Sequence, residues 1–171
     1  MMFGSQVIAK IPNFNLSLLG NDLVPTHCAR DLGVIFDDQL TFGDHTVKTV
    51  SSCMSSLIQI NRAKHALDKD LLITIIKGLV FSKMFYCSSV WSNTSVTNIN
   101  KLQAIQNFAA RIVTRSRKFD HITPIIKQLR WMPVKDYLFY CDALLTFKCM
   151  NGIAPSNLCS RFIKRDRKSV V

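Results

Sequence analysis

Phe36-Asp37-Asp38 sets two carboxylates side by side. An adjacent Asp pair at a hairpin tip can bridge divalent metal ions and the phosphates of a substrate, which is the chemistry of metal-assisted phosphoryl transfer. Such a pair needs a third carboxylate from another strand, and neither Asp22 nor Asp31 has a strand setting that singles it out. Asp also suits turns and helix starts, because its side chain accepts hydrogen bonds from the backbone just ahead of it. The pair therefore reads as a polar turn between the last strand and the first helix.

Other chemistries find less support. The six Gly are scattered and build no phosphate-cradling loop. No Ser stands in a nucleophile-elbow context. The six Cys form no C-x-x-C pair and have no ligand-like spacing to the four His, so a zinc site is not expected. Cys87, behind Phe85-Tyr86, reads as a packing residue. His121 lies beside Asp120 ahead of Pro124, but no nucleophile accompanies the pair, and Asp120 and Thr123 suit helix capping better.

The basic residues remain. The chain has 171 residues, a net charge of +11 and no Glu. Residues 1–100 hold 8 Lys/Arg against 7 Asp, whereas residues 101–171 hold 14 against 4. A near-neutral half joined to a strongly basic half points to a polyanionic partner, most simply nucleic acid. Arg111, Arg115, Arg117 and Lys118 cluster at the end of one expected helix, a position that also suits its dipole. Lys127 and Arg130 follow on the next helix, and Trp131 beside them reads as a core anchor. Phosphate contact from this set would fix position on a duplex without reading its sequence. The tail, with Arg161, Lys164, Arg165, Arg167 and Lys168, reads as a solvated charge run.

The elements that must position these residues follow from periodicity. Phe14, Leu16 and Leu18 alternate with polar residues ahead of a Gly20-Asn21 turn, and Leu32 to Phe36 reads as a further strand in which Gly33 allows a bulge or close approach. From Gly43 the period becomes helical. Asp44 is expected to cap a helix reaching about Ala66, and Asp68 a second one to about Cys87, apolar nearly all round and so central. Ser95 or Thr97 caps a third, with Leu102, Ile105, Phe108, Ala109 and Ile112 inward. Pro124 suits the first turn of a short helix ending near Leu129, Pro133 starts a longer one that Asn151-Gly152 stops, and Pro155 opens a final short turn or helix. The fold class is mainly α: a short N-terminal antiparallel β segment over residues 1–42, then five or six helices over 43–115 and 116–163, and a basic tail at 164–171.

A hydrophobic fraction of 48% suffices for a core. The longest apolar stretch, Leu71 to Phe81, is interrupted by Lys77 and Gly78, so no transmembrane segment is expected. Met1 to Phe14 has no signal-peptide pattern, so the expected location is intracellular, cytoplasmic or nuclear, with reduced and buried thiols.

Five ordered phrases carry a resemblance. Asp31-Leu32-Gly33-Val34-Ile35-Phe36-Asp37 with Leu40 to His45, Phe81 to Ser88, Leu102-Gln103-Ala104-Ile105-Gln106-Asn107-Phe108-Ala109-Ala110-Arg111, residues 120–133, and Leu144 to Leu158 together resemble the C-terminal end of reverse transcriptases from non-LTR retrotransposons, of the Jockey-like and chicken-repeat-like clades. Phe85, Arg130 and Asn157 depart from the family's Asp, His and Tyr. The resemblance implies that the β segment is the end of a palm and the helices a thumb and connection that hold an RNA or RNA–DNA duplex. It also implies that the catalytic carboxylates, the fingers and any endonuclease domain precede Met1. The parent polymerase would use magnesium and this chain no cofactor of its own; the missing palm and fingers would be a partner. Other expectations from the sequence are a basic helical module contacting protein or anionic membrane, or an inert product of a truncated element.

Overall fold

The computed structural model describes residues 16–23 and 26–162. Phe14, Pro25 and the basic tail 164–171 lie outside the described residues.

Two antiparallel hairpins precede the helices. Strand β1 (Leu16–Leu18) pairs with β2 (Asn21–Leu23), Leu16 opposite Leu23. Leu19 and Gly20 form the loop, with φ of 53° and 79°. Positive φ at both positions is the two-residue hairpin turn whose twist matches the strands. The turn thus lies one residue before the expected Gly20-Asn21, and Asn21 is in the strand. The second hairpin repeats this geometry: β3 (Cys28–Asp31) pairs with β4 (Val34–Asp37) across Leu32 and Gly33, with φ of 44° and 91°. Gly33 is therefore a turn residue rather than a strand or bulge residue. It also permits a close approach, because a Cβ there would stand 3.3 Å from the Tyr86 ring. The Tyr86 hydroxyl donates to the Leu32 carbonyl at 3.0 Å and ties this hairpin to the helices.

The helices are α1 (Gly43–Ala63), α2 (Lys69–Ile76), α3 (Ser82–Met84), α4 (Ser88–Trp91), α5 (Val96–Thr114), α6 (Ile122–Gln128), α7 (Val134–Met150) and α8 (Ser156–Cys159). The architecture is mainly α after a short antiparallel β segment, as the sequence indicates. The helical segments outnumber the expected five or six because the second helix is divided and α4 intervenes. A 3-10 turn, Lys64–Ala66, extends α1. A π-helical turn, Lys77–Phe81, joins α2 to α3, and Ser82 N–H reaches back to the Lys77 carbonyl. Leu72, Ile76, Val80 and Met84 are all buried at a strict spacing of four. In a straight α-helix such a row drifts by about 40° per step. The wider π turn corrects the drift and keeps the row inward.

Caps follow local chemistry. Asp68 accepts from Leu71 N–H at 2.8 Å, and Ser95 from Asn98 N–H at 3.3 Å. Asp44 does not cap α1; the chain enters that helix through Phe42 with φ of 57°, and Phe42 N–H donates to Asp37 instead. Arg115 ends α5 with φ of 56°.

One core spans the helices, built from Cys53, Leu57, Leu72, Ile76, Leu102, Ile105, Ile112, Val134 and their neighbours. Each fully buried Leu or Ile contributes about 2 kcal/mol of transfer free energy. The second helix is not the central one: Leu71 and Leu79 are exposed, because its apolar surface exceeds what α1 and α5 can cover. Helix α5 is central, buried along Leu102, Ile105, Gln106, Ala109, Ala110, Ile112 and Val113.

Candidate nucleic-acid interface

Two phrases of the sequence meet in space. Gln106, a polar residue of α5, is 2% exposed. Its side-chain N–H donates to the Met132 carbonyl at 2.9 Å, and its Oε1 accepts from Gln103 at 2.8 Å. Gln103 Oε1 accepts from Val134 N–H at 2.9 Å, and its amide also donates to Asn107 at 2.9 Å. Val134 is the first residue of α7, where helical N–H groups lack partners, and Pro133 supplies no side-chain cap. A glutamine of α5 thus caps a different helix. The pair holds the connection from α6 to α7 against the core and thereby sets where Arg130 and Trp131 stand.

The basic residues at the end of α5 are partly engaged by backbone. Arg111 donates to the carbonyls of Arg117 and Asp120, both at 3.3 Å. In turn, the Asp120 carboxylate accepts from Arg117 N–H at 2.6 Å. Arg115 reaches the Lys64 carbonyl at 3.4 Å and links the ends of α5 and α1. Arg111, Arg115, Arg117 and Lys118 therefore share one end of the bundle, around a loop folded on Arg111. The Lys118 ammonium lies 5.9 Å from the ring centre of Phe119, which is exposed. Lys127 is exposed on α6. Arg130 stands apart at the end of α6, in a cleft described below. Among the described residues, no Lys or Arg lies within ion-pair distance of a carboxylate; the pair observed is His27 with Asp38 at 3.0 Å.

The Asp37-Asp38 pair is a turn hub. Asp37 accepts from Gln39 and Thr41 N–H at 3.2 and 2.8 Å on one oxygen, and from the Thr41 hydroxyl and Phe42 N–H at 3.1 and 2.6 Å on the other. Burial raises the carboxyl's pKa, but these bonds outweigh it and leave it below the usual Asp value. Asp38 is bonded to His27. These residues do not fit a magnesium pair, and no group of three His, Cys or Asp able to hold a metal occurs among the described residues.

All six Cys are free thiols, but only Cys53 and Cys149 are buried; Cys28 and Cys87 are exposed, contrary to expectation. Cys87 sits at a left-handed turn with φ of 49°. No described helix is long and apolar enough to cross a membrane.

Sequence reasoning missed a cleft of about 600 Å³ between the π turn, the end of α6 and the start of α7. Its lining includes Lys77, Phe81, Phe85, Arg130, Tyr137 and Tyr140. Phe85 and Tyr137 have ring centroids 4.1 Å apart, and Phe81 meets Trp131 edge-on at 4.8 Å. The available signals were Lys77 interrupting an apolar helix and Tyr137 and Tyr140 at helical spacing.

Over 115 residues, 64% of the chain, the sequence is 28% identical to a probable RNA-directed DNA polymerase from transposon X-element of Drosophila melanogaster, and the match covers 12% of that protein. Over 94 residues, 53% of the chain, it is 30% identical to the RNA-directed DNA polymerase from mobile element jockey of Drosophila funebris, covering 10% of it. The chain thus corresponds to a small part of these relatives' length, and the similarity supports a reverse-transcriptase-related region. No protein-family profile and no solved structure matches the chain.

Proposed function

We propose that this chain is a duplex-holding, thumb-like part of a jockey-like retrotransposon reverse transcriptase, and that it grips an RNA or RNA–DNA duplex through phosphate contacts. The observation that carries this reading is uncompensated positive charge. Residues 101–171 hold 14 Lys/Arg against 4 Asp, and the described ones make no ion pair with a carboxylate. Lys and Arg that neutralise phosphates release counterions, and this supplies sequence-independent affinity. Lys118, Lys127, Arg117 and Arg130 are the main contact residues, because their side chains make no hydrogen bond among the described residues. Arg111 and Arg115 hold the backbone that presents them. The polymerase activity of the relatives, with its magnesium chemistry, belongs in this reading to other parts of the enzyme. In this reading Asp37 and Asp38 do not serve it: both oxygens of Asp37 are engaged in the turn, and Asp38 is bonded to His27.

A second reading, a helical module that contacts protein, draws support from the exposed apolar residues Phe139, Phe147 and Ile153. Titrating the chain with a labelled RNA–DNA duplex and with anionic lipid vesicles tests the first reading. Tight duplex binding with weak vesicle binding is expected. Absence of duplex binding at low salt rejects it.

A further inference from the structure

The aromatic cleft has a composition suited to one ligand chemistry. Its volume of about 600 Å³ lies within the range of small-molecule sites. Its wall presents the Phe85–Tyr137 ring pair, and Tyr140 stands half exposed at the helical step beyond Tyr137. Lys77 and Arg130 line it, and no Asp does. A purely apolar protein side chain would gain nothing from two cations. An anion without a flat apolar body would gain nothing from the rings. A nucleotide has both parts.

Arg130 adds a backbone observation. Its φ is 54°, a left-handed conformation that disfavours residues with a Cβ. Arg130 N–H bonds to the Lys127 carbonyl at 3.0 Å and Trp131 N–H to the Ile126 carbonyl at 3.1 Å. These two bonds are the helix-ending motif in which Gly usually fills that position. Arg is held there despite the strain, on a loop pinned by Gln103 and Gln106. Next to it, the Trp131 indole N–H makes no hydrogen bond among the described residues, whereas that of Trp91 donates to the Tyr86 carbonyl at 2.9 Å. A cleft-lining residue thus retains a donor for the edge of a base.

We propose that this cleft holds an unpaired nucleotide, its base against the aromatic wall and its phosphate against Lys77 and Arg130. The inference rests on the nucleic-acid reading above and narrows it to a strand end or a displaced base at the edge of the gripped duplex. Base–aromatic stacking is tolerant of sequence, so the site would distinguish paired from unpaired nucleotides without selecting a base.

The test compares three labelled probes on the full chain: a blunt RNA–DNA duplex, the same duplex with one unpaired nucleotide, and a control whose unpaired nucleotide is abasic. Stacking of one base predicts about tenfold tighter binding of the second probe than of the other two. In Tyr140→Ala that ratio falls towards one. A fluorescent adenine analogue at the unpaired position is quenched on binding to the natural chain and not on binding to Tyr140→Ala. Equal affinity for all three probes, or a preference that survives Tyr140→Ala, overturns the cleft assignment while leaving duplex binding intact. Absence of binding to every probe overturns both readings. Binding of only the probe with the unpaired nucleotide, quenched through Tyr140, retains the cleft and removes the duplex grip.

Discussion

Arg130 and Gly152 occupy the same position in the same helix-ending motif. Gly152 N–H bonds to the Cys149 carbonyl and Ile153 N–H to the Lys148 carbonyl, with Gly152 at a φ of 68°. The corresponding bonds at the end of α6 place Arg130 at a φ of 54°. One site uses the residue that fits without strain, and the other uses a cation.

Arg130→Gly should therefore raise stability by about 1 kcal/mol, the order of the left-handed penalty for a residue with a Cβ. Urea unfolding measures that gain. The same variant should bind an RNA–DNA duplex more weakly, and a variant that loses stability would show that Arg130 is held by packing rather than kept for its charge.

Gln103→Ala leaves Val134 N–H without its acceptor and should cost about 1–2 kcal/mol. Gln106→Ala opens a buried space and strands the Met132 carbonyl, and should cost about 3 kcal/mol. Because the two amides are bonded to each other at 2.8 Å, their costs should not add. A double-mutant cycle by urea unfolding checks this, and strict additivity would contradict the shared network.

Burial holds His45 below its ordinary value of 6.5, and its ring packs 5.8 Å from that of Trp91. The folded state therefore favours the neutral ring, and below about pH 6.5 the unfolded chain binds more protons. His45's contribution is complete above that value and is lost as the pH falls through the folded-state pKa. Urea midpoints at about pH 8 and about pH 5 should differ, the lower pH being less stable, and by less in His45→Gln.

Lys118→Ala and Lys127→Ala should each lower the slope of log affinity against log salt by about one, with little effect on stability. Arg111→Ala should instead destabilise by about 1 kcal/mol, since it unties the carbonyls of Arg117 and Asp120. Equal stability of all three variants would mean that the Arg111 bonds hold nothing.

Elements with local signals were readable from the residues. Asp68, Ser95, Pro133 and Gly152 mark helix limits through chemistry within a few residues, Pro124 marks a first turn, and the structure places them so. The basic cluster was readable as composition. What sequence could not supply were relationships between distant segments. Gln106 looks polar and surface-bound until Met132 is brought beside it. Asp44 looks like a cap until Asp37 is found to accept the Phe42 N–H. The segment from Asp68 to Cys87 looks central until Leu71 and Leu79 are found in solvent. The cleft likewise draws on the π turn, α3, α5, the connection from α6 to α7, and α7 together.

The central claim is that unpaired charge on these helices grips a duplex by its phosphates. Its most direct test is the affinity of the full chain for an RNA–DNA duplex at about 50 and about 200 mM salt. Four phosphate contacts predict a loss of about a hundredfold between the two. An affinity that changes by less than about twofold would contradict phosphate-dominated binding.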